Sequence, residues 1–340
     1  MKAAVVKKGG TLEFTDYELP ELQPDEVLVK VSYCGICGSD IHMLEAGIVR
    51  EGCIIGHELS GIVEKVGNDV TGPEKGDRVV VLPAFPCMTC ESCMAGHMHV
   101  CRDLIKRSYG LGTNNGAFCE YMAVKATSIV KIPEWIDMKK AALTEPLAVA
   151  IHGVNMLNMN IGEDVLVIGA GPVGLFTIYA LKEAGAGTII VSETDGYRAQ
   201  KAAEVGADYV INPNEREPGF AGPELTGRMP DHVMDCAGTP ATLQISIGAV
   251  KPRGTVLVLG VCMKPATILP IVASTREICI KFSYGYNYRE FCDALKLLGK
   301  NVIDTDIMIS DVAPLRDIQG AFDSLKQSGH TKVLIDCREI

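Results

Sequence analysis

From residue 164 to residue 283 the chain alternates apolar strand-like runs with segments of helical spacing, and this alternation limits the possible folds more than any other feature. Strands are expected at Asp164–Ile168, Thr188–Ser192, Asp208–Ile211, His232–Met234, Gly254–Leu259 and Glu277–Ser283, with helices at Val173–Ala184, Tyr197–Val205 and Thr242–Val250. Strands that are apolar on both sides need cover on both faces, which a parallel sheet gains from its crossover helices. The expected class is therefore α/β, with a doubly wound parallel sheet. The first strand-to-helix connection reads VLVIGAGPVGLFTIYALKEAG, so Gly169, Gly171 and Gly174 form G-x-G-x-x-G. Such glycines allow a tight turn, a close approach of backbone to pyrophosphate, and helix–strand packing, with the phosphates on the helix N-terminus. An acid, Glu193, closes the second strand, near the spacing expected of a residue that holds the ribose 2′-hydroxyl. A carboxylate there repels a 2′-phosphate, so NAD is expected over NADP. Arg198 lies close enough to stack on adenine or contact a phosphate. Pro172, Val173 and Cys236 complete the candidate cofactor set.

A second constraint lies upstream, where YCGICGSDIH is followed by eleven residues and then IIGHE. Cys, His and carboxylate are the side chains zinc prefers, and three protein ligands with one open position make a catalytic site. This stretch offers Cys37, His57 and Glu58, and Glu145 in LTEPLAVAIHG is a further candidate. Gly35, Gly38 and Gly56 let the backbone turn so that separated side chains converge. Ser39 and His42 place a hydroxyl and an imidazole beside the candidate metal. Glu145-Pro146 also fits a helix start, where the dipole alone would account for an acid.

Farther on, PCMTCESCMAGHMHVC carries Cys87, Cys90, Cys93 and Cys101. Four thiolates at C-x2-C-x2-C-x7-C suit a closed, tetrahedral structural zinc site. The bacterial iron–sulfur run has a last gap of three followed by Pro, whereas here Arg102 follows a gap of seven. His97 and His99 then read as surface residues, and the lobe is expected to fold only with its metal.

Around these motifs the N-terminal part alternates with period two. Ala3–Val6, Leu12–Phe14, Glu26–Val31, Leu59–Val66, Asp77–Leu82 and the stretch 117–132 read as strands of a barrel-like domain. Asp137–Leu143 and Pro146–Leu157 read as helices. The tail reads as two amphipathic helices, Tyr288–Gly299 and Ala313–Ser328, and a final strand KVLIDC that returns to pack on earlier parts.

Length and charge bound the rest. A chain of 340 residues is expected to form two domains. A net charge of −10 and the absence of a basic run argue against nucleic-acid and anionic-membrane partners. The start, MKAAVVKKGG, has no apolar segment after its charges, and no run of about 18 apolar residues occurs. With thirteen cysteines, an odd number, a reducing cytoplasmic setting is expected.

GICGSDIH, IGHE, the four-cysteine lobe, TEPLAVAIH and GAGPVG, in that order, make the whole chain resemble the zinc-dependent medium-chain alcohol dehydrogenases. Glu145, where a second catalytic cysteine stands in others, is similar to the polyol, threonine and butanediol dehydrogenase branch; the length and VSE at the second strand loosely resemble aminocyclitol dehydrogenases. The resemblance implies a GroES-like β-barrel-type catalytic domain over 1–150 and 286–340, with its structural-zinc lobe at 84–103, and a Rossmann NAD-binding domain over 151–285. It implies two zinc ions per chain, the catalytic one on Cys37, His57 and either Glu58 or Glu145. Ser39 and His42 match the family's proton relay, and Val173 the residue behind the nicotinamide. A homodimer or homotetramer is implied. The expected activity is reversible NAD-linked oxidation of a secondary alcohol, in a polyol, diol or amino alcohol such as an aminocyclitol. Threonine 3-dehydrogenase-like and sugar-phosphate polyol activities are the alternatives. A zinc-free quinone or enone reductase would lack the Cys37/His57 set, and a non-enzymatic dinucleotide-binding protein would show no alcohol-dependent NADH formation. With thiolate and carboxylate both bound, the catalytic site is expected to be formally neutral. The segment Met43–Ile55 is short for a polyol dehydrogenase, and Met43 stands where an aromatic is common, in the loop that lines the family's substrate site.

Overall fold

Among the described residues the strands form a two-stranded ribbon, Lys2–Val6 with Leu12–Asp16, and two larger sheets, one of six strands and one of seven. The computed structural model describes residues 1–300 and 303–339. Within them the strands are β1 (Lys2–Val6), β2 (Leu12–Asp16), β3 (Glu26–Gly35), β4 (Glu58–Val66), β5 (Arg78–Val81), β6 (Tyr121–Lys125), β7 (Ile129–Lys131), β8 (Val165–Ile168), β9 (Ile189–Ser192), β10 (Tyr209–Ile211), β11 (His232–Asp235), β12 (Thr255–Val258), β13 (Cys279–Phe282), β14 (Ile309–Pro314) and β15 (Lys332–Asp336). The chain divides into one unit of Met1–Glu145, Asn287–Thr305 and Ile309–Ile340, and another of Pro146–Tyr286 and Asp306–Met308.

The second unit carries β8 to β13, all parallel, in the order β10-β9-β8-β11-β12-β13. Every residue of β8, β9 and β11 is buried, as strands covered on both faces must be. Numbered within the unit, this is the order 3-2-1-4-5-6, which reverses direction between β8 and β11. Each strand expected between 164 and 283 is present, as are the three helices, at Pro172–Glu183, Gly196–Val205 and Pro240–Ala249. Two helices, Pro218–Thr226 and Pro270–Ser274, were not expected. The first is PGFAGPELT, whose two prolines and two glycines argue against a helix by propensity; a proline in its first turn and Gly227 at φ +77° after its end set its limits.

In the first unit β3 is the organising strand. One edge pairs with β4 over most of its length; the other pairs with β6 over Glu26–Lys30 and then with β15 over Tyr33–Gly35. The sheet continues from β4 through β5 to β7, and from β15 to β14. Its inner face packs Val29, Val31, Ile54, Ile55, Phe118 and Val333, all fully buried, into one apolar core. The stretch 117–132 is not continuous strand: a 3-10 turn at Ala126–Ser128 divides β6 from β7. The tail corrects the sequence reading. Ala313–Ser328 is not one helix; β14 runs parallel to β15 up to Pro314, and the helix is Ile318–Ser324. Proline cannot continue the ladder, so the strand stops there. Among the described residues no helix is long and apolar enough to cross a membrane.

Candidate functional site

The candidate metal site is assembled where β15, β3 and β4 lie side by side. Gly35 ends β3 and is paired with Glu58, the first residue of β4, and with Leu334 of β15. The chain leaving β3 turns directly into the helix Gly38–Glu45, which the sequence did not suggest, with Cys37 as its N-cap. Asp40 explains that turn: its Oδ2 accepts the Cys37 backbone N–H at 3.0 Å, closing a reciprocal cap. His57 is held by the segment before it, whose backbone pairs with 116–118 through Gly116 N–H to Ile54 O, 2.7 Å, and Phe118 N–H to Ile55 O, 3.0 Å.

This folding brings ligand atoms of Cys37, His57 and Glu58 within 4.8 Å of one another. Glu145 does not join that set; it sits buried in the first turn of the helix Thr144–Leu157. Of the two carboxylates the sequence left open, Glu58 is therefore the one that converges with the thiol and imidazole. Ser39, half-buried, and His42, exposed, are three residues apart on the helix and share a face.

Two residues complete the site that the sequence reading gave no role. Asp40 is fully buried, and its Oδ1 lies 3.4 Å from His57 Nδ1. Among the described residues neither atom has a hydrogen-bond partner. Burial disfavours a charged imidazole, but Asp40 and then Cys37 outweigh it and hold the His57 pKa well above its usual value. The geometry, rather than that shift, fits a metal ligand: Nε2 would be the atom offered to the metal, while Nδ1 would keep its proton facing the Asp40 carboxylate. The other residue is Lys332, at the start of β15. Its Nζ donates to Glu58 Oε1 and Oε2, both at 2.7 Å, and to Ile36 O at 2.9 Å. Burial opposes its charge, but Glu58, Cys37 and Glu145 overcome this and keep its pKa above the ordinary lysine value. Asp40 was not legible in the sequence, because the helix it caps was not suggested there. Nor was Lys332, since 274 residues separate it from Glu58.

The four-cysteine lobe converges as well. Cys87, Cys90, Cys93 and Cys101 offer sulfurs within 4.8 Å of one another, with Cys87 Sγ to Cys93 Sγ at 3.9 Å and Cys90 Sγ to Cys101 Sγ at 4.0 Å. A tetrahedron with Zn–S of about 2.3 Å has sulfurs about 3.8 Å apart, so the donor set fits that ion closely. Hydrogen bonds from Thr89 and from the Cys90 N–H pull the Cys87 thiol down to about 5, toward the thiolate a metal needs.

In the second unit, Gly169 follows β8 at φ +93° and Gly171 is the N-cap of the helix that begins with Pro172 and Val173. A Cβ on Gly174 would fall on the Gly169 carbonyl, so this close approach of helix to strand end requires glycine. Cys236 is the next residue after β11, beside this loop, with its N–H on Ile168 O at 2.9 Å and its Sγ 3.6 Å from Thr177 Oγ1. The loop thus lies at the point where the sheet order reverses, where ligands of such sheets bind. Glu193, just beyond β9, accepts from the N–H of Ala170 at 2.6 Å, Thr194 at 2.7 Å and Asp195 at 2.9 Å. Its carboxylate is tied to the glycine loop itself. Arg198 is in the first turn of the next helix, its N–H capped by Asp195 at 2.9 Å.

Comparison with known proteins gives the family of both parts of the chain. Residues 23–134 match the family described as alcohol dehydrogenase GroES-like domain, and residues 172–300 match zinc-binding dehydrogenase. Sorbitol dehydrogenase of Gallus gallus is 32% identical over 343 residues, covering 98% of this chain and 96% of that protein. Among solved structures, a zinc-binding dehydrogenase from Sinorhizobium meliloti 1021 bound to NADP has a TM-score of 0.92 at 32% identity, covering 98% of each chain. An alcohol dehydrogenase from Escherichia coli CFT073 complexed with NADH has a TM-score of 0.92 at 29% identity, covering 99% of each. The fold is a GroES-like domain with a Rossmann domain, and the chain belongs to the zinc-dependent medium-chain alcohol dehydrogenase superfamily, in its polyol dehydrogenase branch.

Proposed function

We propose that this protein catalyses the reversible NAD-linked oxidation of a secondary alcohol in a polyol, diol or amino alcohol to the ketone. Cys37, His57 and Glu58 hold a catalytic zinc, and Cys87, Cys90, Cys93 and Cys101 hold a structural one. The observation that carries this reading is the convergence of one thiol, one imidazole and one carboxylate within 4.8 Å, next to a helix bearing Ser39 and His42. A zinc in that set supplies Lewis acidity toward an alcohol oxygen. The chain supplies the rest. Asp40 fixes the ring of His57, and Ser39 takes the alcohol proton, which His42, one turn on and exposed, delivers to solvent.

The preference for NAD is supported by Glu193. Its carboxylate, fixed by three backbone N–H donors, is available to ribose hydroxyls and repels a 2′-phosphate. Related structures carry both NADP and NADH, so the acid in this chain decides its own choice. We also infer a homodimer or homotetramer: β13 is the outermost strand of its sheet and bears exposed Phe282, with exposed Tyr284 just beyond.

The test uses Cys37→Ser and Ser39→Ala in an assay of sorbitol, vicinal diols, amino alcohols and cyclic alcohols with NAD and with NADP. Both substitutions are expected to cut turnover by about 100-fold or more while NAD still binds. Normal turnover in Cys37→Ser would refute the reading.

A further inference from the structure

Lys332 is an ammonium group in a place where the fold itself needs none. It is 2% exposed, and the three residues after it on β15, Val333, Leu334 and Ile335, are fully buried apolar side chains. All three of its protons are used, two on the Glu58 carboxylate and one on Ile36 O. A buried lysine is tolerated when its charge is paired in this way. Glu58 is equally enclosed, at 0% exposure. The strand between them is shaped for the pair. Gly35 stands opposite Glu58 in the β3–β4 register, and a Cβ there would coincide with the Glu58 carboxylate.

We propose that Lys332 is a positioning residue that competes with the metal ion for Glu58 and leaves the loaded site with one more positive charge than its ligands alone give, Gly35 reserving the space in which this happens. The proposal rests on Cys37, His57 and Glu58 being the metal ligands. One thiolate and one carboxylate cancel a dication, so the ligand set by itself is neutral; the ammonium, within hydrogen-bonding distance of one ligand, restores a net positive charge. Each carboxylate oxygen has two lone pairs, so the contact with Lys332 leaves Glu58 able to ligate.

The consequence separates this role from a merely structural one. Removing the ammonium removes a competing cation, so the site holds its metal more tightly. It also removes positive charge from beside an oxygen that must lose its proton, so turnover falls. A lysine needed only for packing would, when replaced, weaken both.

The experiment compares wild type with Lys332→Met and the conservative Lys332→Arg, reading zinc retention against a chromogenic chelator together with kcat and its pH profile. Cys37→Ser identifies the zinc that belongs to this site. Lys332→Met is expected to retain that zinc about tenfold more tightly or better, with lower kcat and a pH profile moved to higher pH, and Lys332→Arg to stay near wild type. Lys332→Met that is folded by circular dichroism yet loses zinc as readily as wild type, or more so, overturns the proposal. Gly35→Ala gives an independent arm should Lys332→Met fail to fold: displacement of the Glu58 carboxylate is expected to weaken zinc retention, and unchanged retention in folded protein overturns the claim. If wild type and Cys37→Ser release the same zinc, it is the ligand assignment that has failed, not the role of Lys332.

Discussion

Single side chains decide the chemistry here, and they differ in how visible they are in the sequence. Cys37 and His57 stand in glycine-rich segments whose residue types have few other uses together, so they are legible. Glu58 and Glu145 are each acids at element starts, and sequence alone does not choose between them. The choice depends on which one faces the thiol, a matter of β3–β4 register that local sequence does not encode. Lys332 is the extreme case. At the head of a short final strand a lysine reads as a solvated end, and its burial against Glu58 follows from strand order alone. Asp40 was legible neither as a helix cap nor as the partner of His57, since the turn from β3 into its helix was not read from the sequence. Asp40→Asn removes the charge that faces the imidazole. It is expected to lower zinc affinity or turnover by about 10- to 100-fold, with the fold retained. Zinc titration and steady-state kinetics check this; wild-type values for both would show that the carboxylate has no part in orienting the ring.

At the scale of elements, the parallel sheet was legible because its central strands are apolar on both faces and bounded by turns and helical spacing. The tail was not. β14 is half-buried along most of its length, with no clean alternation to separate strand from helix, and only its parallel pairing with β15 makes it a strand. The central strands β8 and β11 are also clasped at their entry ends, where Glu163 Oε2 lies 2.9 Å from His232 Nε2. Burial pushes the Glu163 carboxyl up, but hydrogen bonds from His232 and then Asn160 outweigh it and hold its pKa at about 2. Because this folded pKa lies below the unfolded value of about 4.3, the clasp stabilises the fold fully above the unfolded pKa. Its contribution fades as pH falls through the interval between the two values. In urea unfolding at stepped pH, wild type is expected to exceed Glu163→Gln in stability near neutrality and to lose that advantage across this acid window. A stability difference independent of pH would contradict the assignment.

For the molecule as a whole, two units of different architecture each carry one half of the proposed reaction, one the metal ligands and relay, the other the dinucleotide loop and Glu193. Their separate motifs were legible because each must satisfy a strict local requirement: four sulfurs at tetrahedral spacing, glycine at a phosphate turn, an acid past the second strand. What no local requirement fixes is the surroundings of the catalytic set, since the neutral count from its ligands alone took no account of the Lys332 ammonium on Glu58. Two distinct zinc ions per chain are expected, one of which carries the activity. The most direct test is zinc per folded chain, by atomic emission, in wild type, Cys37→Ser and Cys93→Ser. Two in wild type and one in each variant is the predicted result; two zinc ions retained in Cys37→Ser would contradict it.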